Sequence, residues 1–155
     1  MSQYQILPTK AEDIAYVAAR MREADVQDVW AAGHKKPYDA LAFSVARSLE
    51  AKTGMVDGRP VCVFGIGPII LLGDLGVPWL LSTDEMPRHA LKFLKESKLC
   101  VRDWRKRYSV LANMVDCRNR IAIKWLKWLG FQIYPPVSYG PDKLPFHPFV
   151  LRGEQ

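Results

Sequence analysis

The chain opens on a short extended run, Tyr4 to Leu7, closed by Pro8. Beyond it, apolar residues recur at helical spacing from Ala11 to Ala32. Ile14, Val17 and Met21, then Val26, Val29 and Trp30, fall on apolar faces of that stretch, and Gly33 is its stop. Thr9 precedes the pattern, and Asp13 places a negative charge in its first turn. Leu41, Val45 and Leu49 at four-residue spacing predict a second helix over Asp39 to Lys52. Gly54 to Val56 and Arg59 to Ile66 then read as two strands around Asp57-Gly58, the strongest two-residue hairpin signal in the chain.

The pattern breaks at Gly73 to Gly76 and resumes as a strand over Val77 to Ser82. Pro78 has no N–H for a ladder, so it belongs at a strand start, an edge or a bulge. Thr83-Asp84 can cap the helix that follows, and Pro87 suits its first turn. That helix runs from Glu85 to Arg107 with Ala90, Leu94, Val101 and Trp104 facing inward. Tyr108 to Met114 reads as a strand, Cys117 to Leu129 as a helix ended by Gly130, and Phe131 to Tyr134 as a strand. Pro135 to Pro145 is a loop and Phe146 to Leu151 a final edge strand. The sequence of elements describes a mixed α/β layout rather than strict alternation.

Composition adds limits. A chain of 155 residues, 49% apolar and 25% charged, supports one domain over residues 1–155 with one core, and argues against disorder. The longest apolar run, Val61 to Leu72, is interrupted by Gly65, Gly67 and Pro68 and is too short to span a bilayer. Met1 to Lys10 lacks the basic-then-apolar design of a signal peptide, so a cytosolic protein is expected. Cys62, Cys100 and Cys117 are odd in number and widely spaced, which fits reduced thiols and neither a disulfide framework nor a metal site. His34, His89 and His147 stand apart from one another and from any patterned carboxylate.

The net charge of +6 is unevenly placed. Between Arg88 and Arg107 stand eight Lys or Arg against Glu96 and Asp103 alone, a surplus equal to that of the whole chain. Such a basic helix, residues 88–107, can meet nucleic acid, an acidic protein or a polyphosphate cofactor, or can be a solvated face.

The order of elements resembles the GNAT superfamily of N-acetyltransferases, and two local sequences carry the likeness. From Asn119 to Phe131 the superfamily commonly reads Asn, Ala three residues on, Tyr at seven and Leu-Gly-Phe at ten to twelve. Asn119, Ala122, Leu129, Gly130 and Phe131 match, and Leu126 stands at the tyrosine position. The hairpin at Asp57-Gly58 looks like the superfamily's second and third strands. A closer resemblance is to a family of small, GNAT-like proteins of short-tailed bacteriophages, usually described as internal virion or virion-assembly proteins. Its phrases appear as Met21-Arg22-Glu23-Ala24-Asp25, Trp79-Leu80-Leu81-Ser82-Thr83, Trp125-Leu126-Lys127-Trp128-Leu129-Gly130-Phe131 and Leu144-Pro145-Phe146-His147.

The resemblance implies an α/β (α+β) fold with a mixed, mostly antiparallel central sheet flanked by about four helices. It implies acetyl-CoA as the cofactor, held near Leu81, Thr83, Arg88, His89 and Asn119. It also implies a phage or host protein as partner, in the host cytoplasm or the virion. Acetyl transfer needs a cradle for the pyrophosphate, and the superfamily supplies a glycine-containing turn at the start of its long helix, where backbone N–H groups hold the anion. Here that stretch is Ser82 to Ala90. It contains no glycine, carries Asp84 and Glu85, and includes Pro87, which has no N–H to give. Arg88 offers partial compensation. Leu126 cannot protonate a leaving thiolate as a tyrosine would. Asp74, Asp84 and Glu85 flank the fourth strand as candidate bases. Asn119 has a capping role open to it without any cofactor.

Overall fold

A computed structural model of the chain describes residues 1–68 and 74–153. Eight strands form one sheet: β1 (Tyr4–Pro8), β2 (Glu50–Val56), β3 (Arg59–Pro68), β4 (Leu75–Ser82), β5 (Val110–Asp116), β6 (Gln132–Ile133), β7 (Val137–Tyr139) and β8 (Leu144–Arg152). Their spatial order is β1-β2-β3-β4-β5-β8-β6, with β7 also on β8. Every described pairing is antiparallel except β4 with β5. Five helices flank the sheet: α1 (Ala11–Ala19), α2 (Glu23–Gly33), α3 (Pro37–Arg47), α4 (Ala90–Arg107) and α5 (Arg120–Trp128).

The expected helix over Ala11 to Ala32 is therefore two helices. It breaks because Met21 bridges to Thr83 and the Arg22 N–H donates to the Ser82 carbonyl at 2.9 Å, so the chain touches the end of β4 before it coils again. The left-handed residue ending α2 is His34, φ 55°, one position after Gly33. Trp30 does not face the core; it is 48% exposed and its ring stacks on His34. The second helix begins and ends earlier than its apolar spacing suggests. Leu49 is exposed and its N–H already pairs with the Ile66 carbonyl of β3, which draws the chain into β2.

The hairpin turn is as expected, with Asp57 at φ 49° and Gly58 at φ 78°, the two positive values a type I′ turn demands. The long basic helix starts later than Glu85, because Met86–His89 forms a 3₁₀ turn that buries Met86. Residues 135–145 include β7, and β8 is not an edge strand: it lies between β5 and β6 and buries Phe146 and Phe149. Gly73 and the end of the apolar run from Val61 lie outside the described residues.

Strand alternation divides the core into two layers. Val63 and Leu81 meet Val17, Met21 and Leu41 on the side of α1, α2 and α3. Cys62, Phe64, Ile66, Leu111, Val115 and Phe149 meet Phe93, Leu94, Val101, Trp104 and Trp125 on the side of α4 and α5. The Cys62 thiol is fully enclosed there, and burial pushes it up to about 12, so it is inert at neutral pH. The described residues contain no helix long and apolar enough to cross a membrane.

Candidate functional site

The strands β4 and β5 pair only at their first residues, Leu75 with Val110 and Gly76 with Leu111, and then part. Pro78 gives the reason. Its carbonyl points toward β5 and accepts from Asn113 Nδ2 at 2.9 Å, so the missing N–H of the proline falls on the same side, where a parallel ladder would need a donor. The Asn113 side chain satisfies the carbonyl and the strands diverge beyond it. A proline is tolerated in this central strand because, from Pro78 onward, that side of the strand is an edge.

A cleft of about 400 Å³ follows from the divergence. Its walls come from both faces of the sheet: Asp28 and Val29 of α2, Trp79 and Leu80 of β4, Met114 of β5, Ser97 and Trp104 of α4, and Trp125 and Leu126 of α5. The lining is mainly apolar, and two of its donors, Ser97 Oγ and Trp104 Nε1, are buried with no hydrogen-bond partner among the described residues.

Polar chemistry gathers where the cleft meets the start of α2. Arg22 Nη2 donates to Asp25 Oδ1 at 3.0 Å and to Asn119 Oδ1 at 2.9 Å, while Arg22 Nε donates to Ser82 Oγ at 3.2 Å. Asp25 Oδ2 accepts from the Ser82 N–H at 3.0 Å and from Ser82 Oγ at 3.1 Å. Asn119 Nδ2 donates to Asp25 Oδ1 at 3.0 Å. The guanidinium of Arg22 also lies 5.3 Å from the centroid of the Trp125 ring. Burial pushes the Asp25 carboxyl upward, against the pull of Arg22, Asn119 and Ser82. Among the described residues no ion pair holds Asp28. Burial raises its carboxyl to about 7, despite the Asp116 N–H that donates to Oδ2 at 3.0 Å, and neighbouring Asp25 and Asp116 add repulsion.

The residues singled out in the sequence do not gather in one place. Asn119 is in the cluster, and it also caps α5, its Oδ1 accepting from the Ala122 N–H at 3.4 Å. Leu81 and Leu126 line the cleft. Asp84 and Glu85 do not; they line a shallow groove with Tyr16, Arg20 and Met21 beside α1. Asp74 is exposed at the start of β4, where its carbonyl accepts from the Val110 N–H. His89 is tied to Tyr4, whose hydroxyl lies 2.9 Å from Nδ1. Arg88 is exposed.

The expected anion cradle has few donors left. Thr83 N–H donates to the Val61 carbonyl, Met86 N–H to the Thr83 carbonyl, Arg88 N–H to the Glu85 carbonyl, and Glu85 N–H to Thr83 Oγ1. Pro87 has none to offer. The Glu85 carboxylate is held by Arg59 at 2.7 Å, which lowers it below the usual carboxylate range and fixes a negative charge beside the turn. Four of the six positions from Thr83 to Arg88 thus have their amide engaged within the protein, and a fifth, Pro87, has no amide hydrogen.

Arg22, Asp25 and Asp28 escaped a reading that followed apolar spacing. Their signal was a set of charges three residues apart on the face of α2 that also carries Val29.

No family model matches the chain, and no curated protein does. Solved structures do. Ard1 from Thermoplasma volcanium superposes with a TM-score of 0.73 at 17% identity, covering 98% of this chain and 99% of that one. A GNAT-family acetyltransferase from Streptococcus pneumoniae gives 0.65 at 13% identity, over 98% and 100%. The aminoglycoside acetyltransferase AAC(6')-Ib in complex with coenzyme A gives 0.68 at 15% identity, over 97% and 95%. The chain has the fold of the GNAT acetyltransferases.

Proposed function

We propose that this chain is a GNAT-fold protein in which acetyl transfer has been given up, serving as a bacteriophage virion-assembly or host-takeover factor in the host cytoplasm or the virion. The observation that supports the loss of catalysis is the turn from Thr83 to Arg88, where four amides are engaged inside the protein, Pro87 has none, and Arg59 pairs with the Glu85 carboxylate. An anion placed there would find a carboxylate in place of a row of free donors. The phage role draws its support from the sequence phrases quoted above, among them Met21 to Asp25, whose Arg22 and Asp25 build the buried cluster. Isothermal titration with acetyl-CoA tests the reading. No heat of binding is expected at millimolar cofactor, and tight binding followed by thiol release on adding an amine overturns it.

A second reading, an acetyl-CoA-dependent N-acetyltransferase acting on a protein or small-molecule amine, is favoured by one observation: Asp28 lines the cleft with its carboxyl raised to about 7. A base poised near neutral pH suits removal of a proton from an amine. In this reading Asp28 takes the role expected of Asp84 or Glu85, and an Asp28→Asn variant loses turnover while keeping its affinity for cofactor.

A further inference from the structure

We infer that the outer face formed by α4 and α5 is a docking surface for duplex DNA, held through its phosphates without reading of sequence. Both helices pack on the same side of the sheet, and Lys98 Nζ of α4 lies 4.8 Å from the ring centroid of Trp128 on α5, which joins their outer surfaces. α4 carries seven cations and two carboxylates and α5 three cations and no carboxylate, a net +8 where the chain has +6. The rest of the molecule is thus net negative, so the positive surplus is carried by these two helices.

Lys92, Lys95, Lys98, Arg102, Lys124 and Lys127 are exposed, and among the described residues none of them forms an ion pair. Of the two carboxylates on α4, Asp103 is already engaged by Arg107. Like charges three and four residues apart destabilise a helix, and a face that merely keeps the protein in solution interleaves signs. This one stacks cations instead, an arrangement that a polyanion relieves. From Lys92 to Lys106 the row extends about 21 Å at the helical rise, the length over which one DNA strand presents about six phosphates.

The composition of the face selects the partner. Neither helix contains Asn or Gln, the side chains that read adenine in pairs. Single strands ask for free aromatic platforms, whereas the exposed aromatic of these two helices, Trp128, has Lys98 over its ring. Leu91 and Leu99 are exposed on α4 as well, and a protein partner would use them; the competition below decides between the two.

The test is fluorescence anisotropy with two labelled duplexes of unrelated sequence, each about 20 base pairs, between 50 and 200 mM salt. Equal affinity for both is expected, falling roughly 10²–10³-fold over that range as about five phosphates are neutralised. The triple variant Lys95→Gln, Lys98→Gln, Lys124→Gln should lose affinity at least tenfold at low salt and flatten the salt slope by about three. The control Lys10→Gln, Lys36→Gln, Arg47→Gln on the other side of the sheet should bind as the parent does. Absence of binding at 50 mM salt overturns the proposal. So does equal weakening by the control, a preference for single-stranded DNA, or displacement of the duplex by poly-glutamate at equal charge.

Discussion

Arg22 Nη2 stands 2.9 Å from Asn119 Oδ1, and this contact ties the start of α2 to the cap of α5 across the gap between β4 and β5. Arg22 is 5%, Asp25 3% and Asn119 2% exposed, so each was taken out of water and depends on the others. Replacing Arg22 with Ala strands the Asp25 carboxylate. A loss of about 3–5 kcal/mol is expected, since breaking a buried pair costs far more than the pair contributes net. Urea unfolding measures it. A double replacement, Arg22→Met with Asp25→Leu, should recover much of the loss; if it falls as far as Arg22→Ala alone, the charge pair is not what the single variant exposed.

Asp28 makes stability depend on pH in a direction opposite to that of a salt-bridged carboxylate. Its folded value, about 7, lies above the ordinary 3.8, so the folded protein binds this proton more tightly than the unfolded chain does. The ionised group therefore costs nothing below about pH 4, costs progressively more up to pH 7, and costs most above it, on the order of 4 kcal/mol as an upper bound. Asp28→Asn removes that charge. The urea midpoints of parent and variant should coincide near pH 4 and separate with rising pH, the variant being the more stable at pH 8. Midpoints that stay parallel from pH 5 to pH 8 would show that Asp28 does not titrate there.

Much of this fold was legible because its signals are local. Asp57-Gly58 demanded positive φ and Gly130, at φ 101°, closed α5, and both positions could be read without knowing what packs around them. The cleft was half legible: Pro78 announced that β4 could not pair normally, and its position beside β5 supplied the rest. The break at Met21-Arg22 was not legible, because the apolar spacing runs on through it and only the contact with Ser82 and Thr83, sixty residues away in sequence, interrupts the helix. Asp84 and Glu85 looked catalytic from their place after the fourth strand. They stand just before the 3₁₀ turn and line a surface groove, while the carboxyls that line the cleft, Asp25 and Asp28, come from α2.

Gly65 sets the wall of that cleft from behind. It pairs with Trp79 across β3 and β4, and Trp79 is oriented by its Nε1, which donates to Ser48 Oγ at 2.6 Å. A Cβ at Gly65 would run into the Glu50 carbonyl oxygen and come within 3.1 Å of the Trp79 ring. The carbonyl belongs to the β2 backbone and cannot swing away as a side-chain end would, so the strain falls on β2–β3 pairing and on the indole together. Gly65→Ala should cost about 1–3 kcal/mol, the range of an overpacked core. Urea unfolding with near-ultraviolet circular dichroism reads both consequences: a lowered midpoint, and an altered tryptophan band as Trp79 is displaced from the cleft. A lowered midpoint with an unchanged band would place the strain in the backbone alone and leave the cleft wall intact.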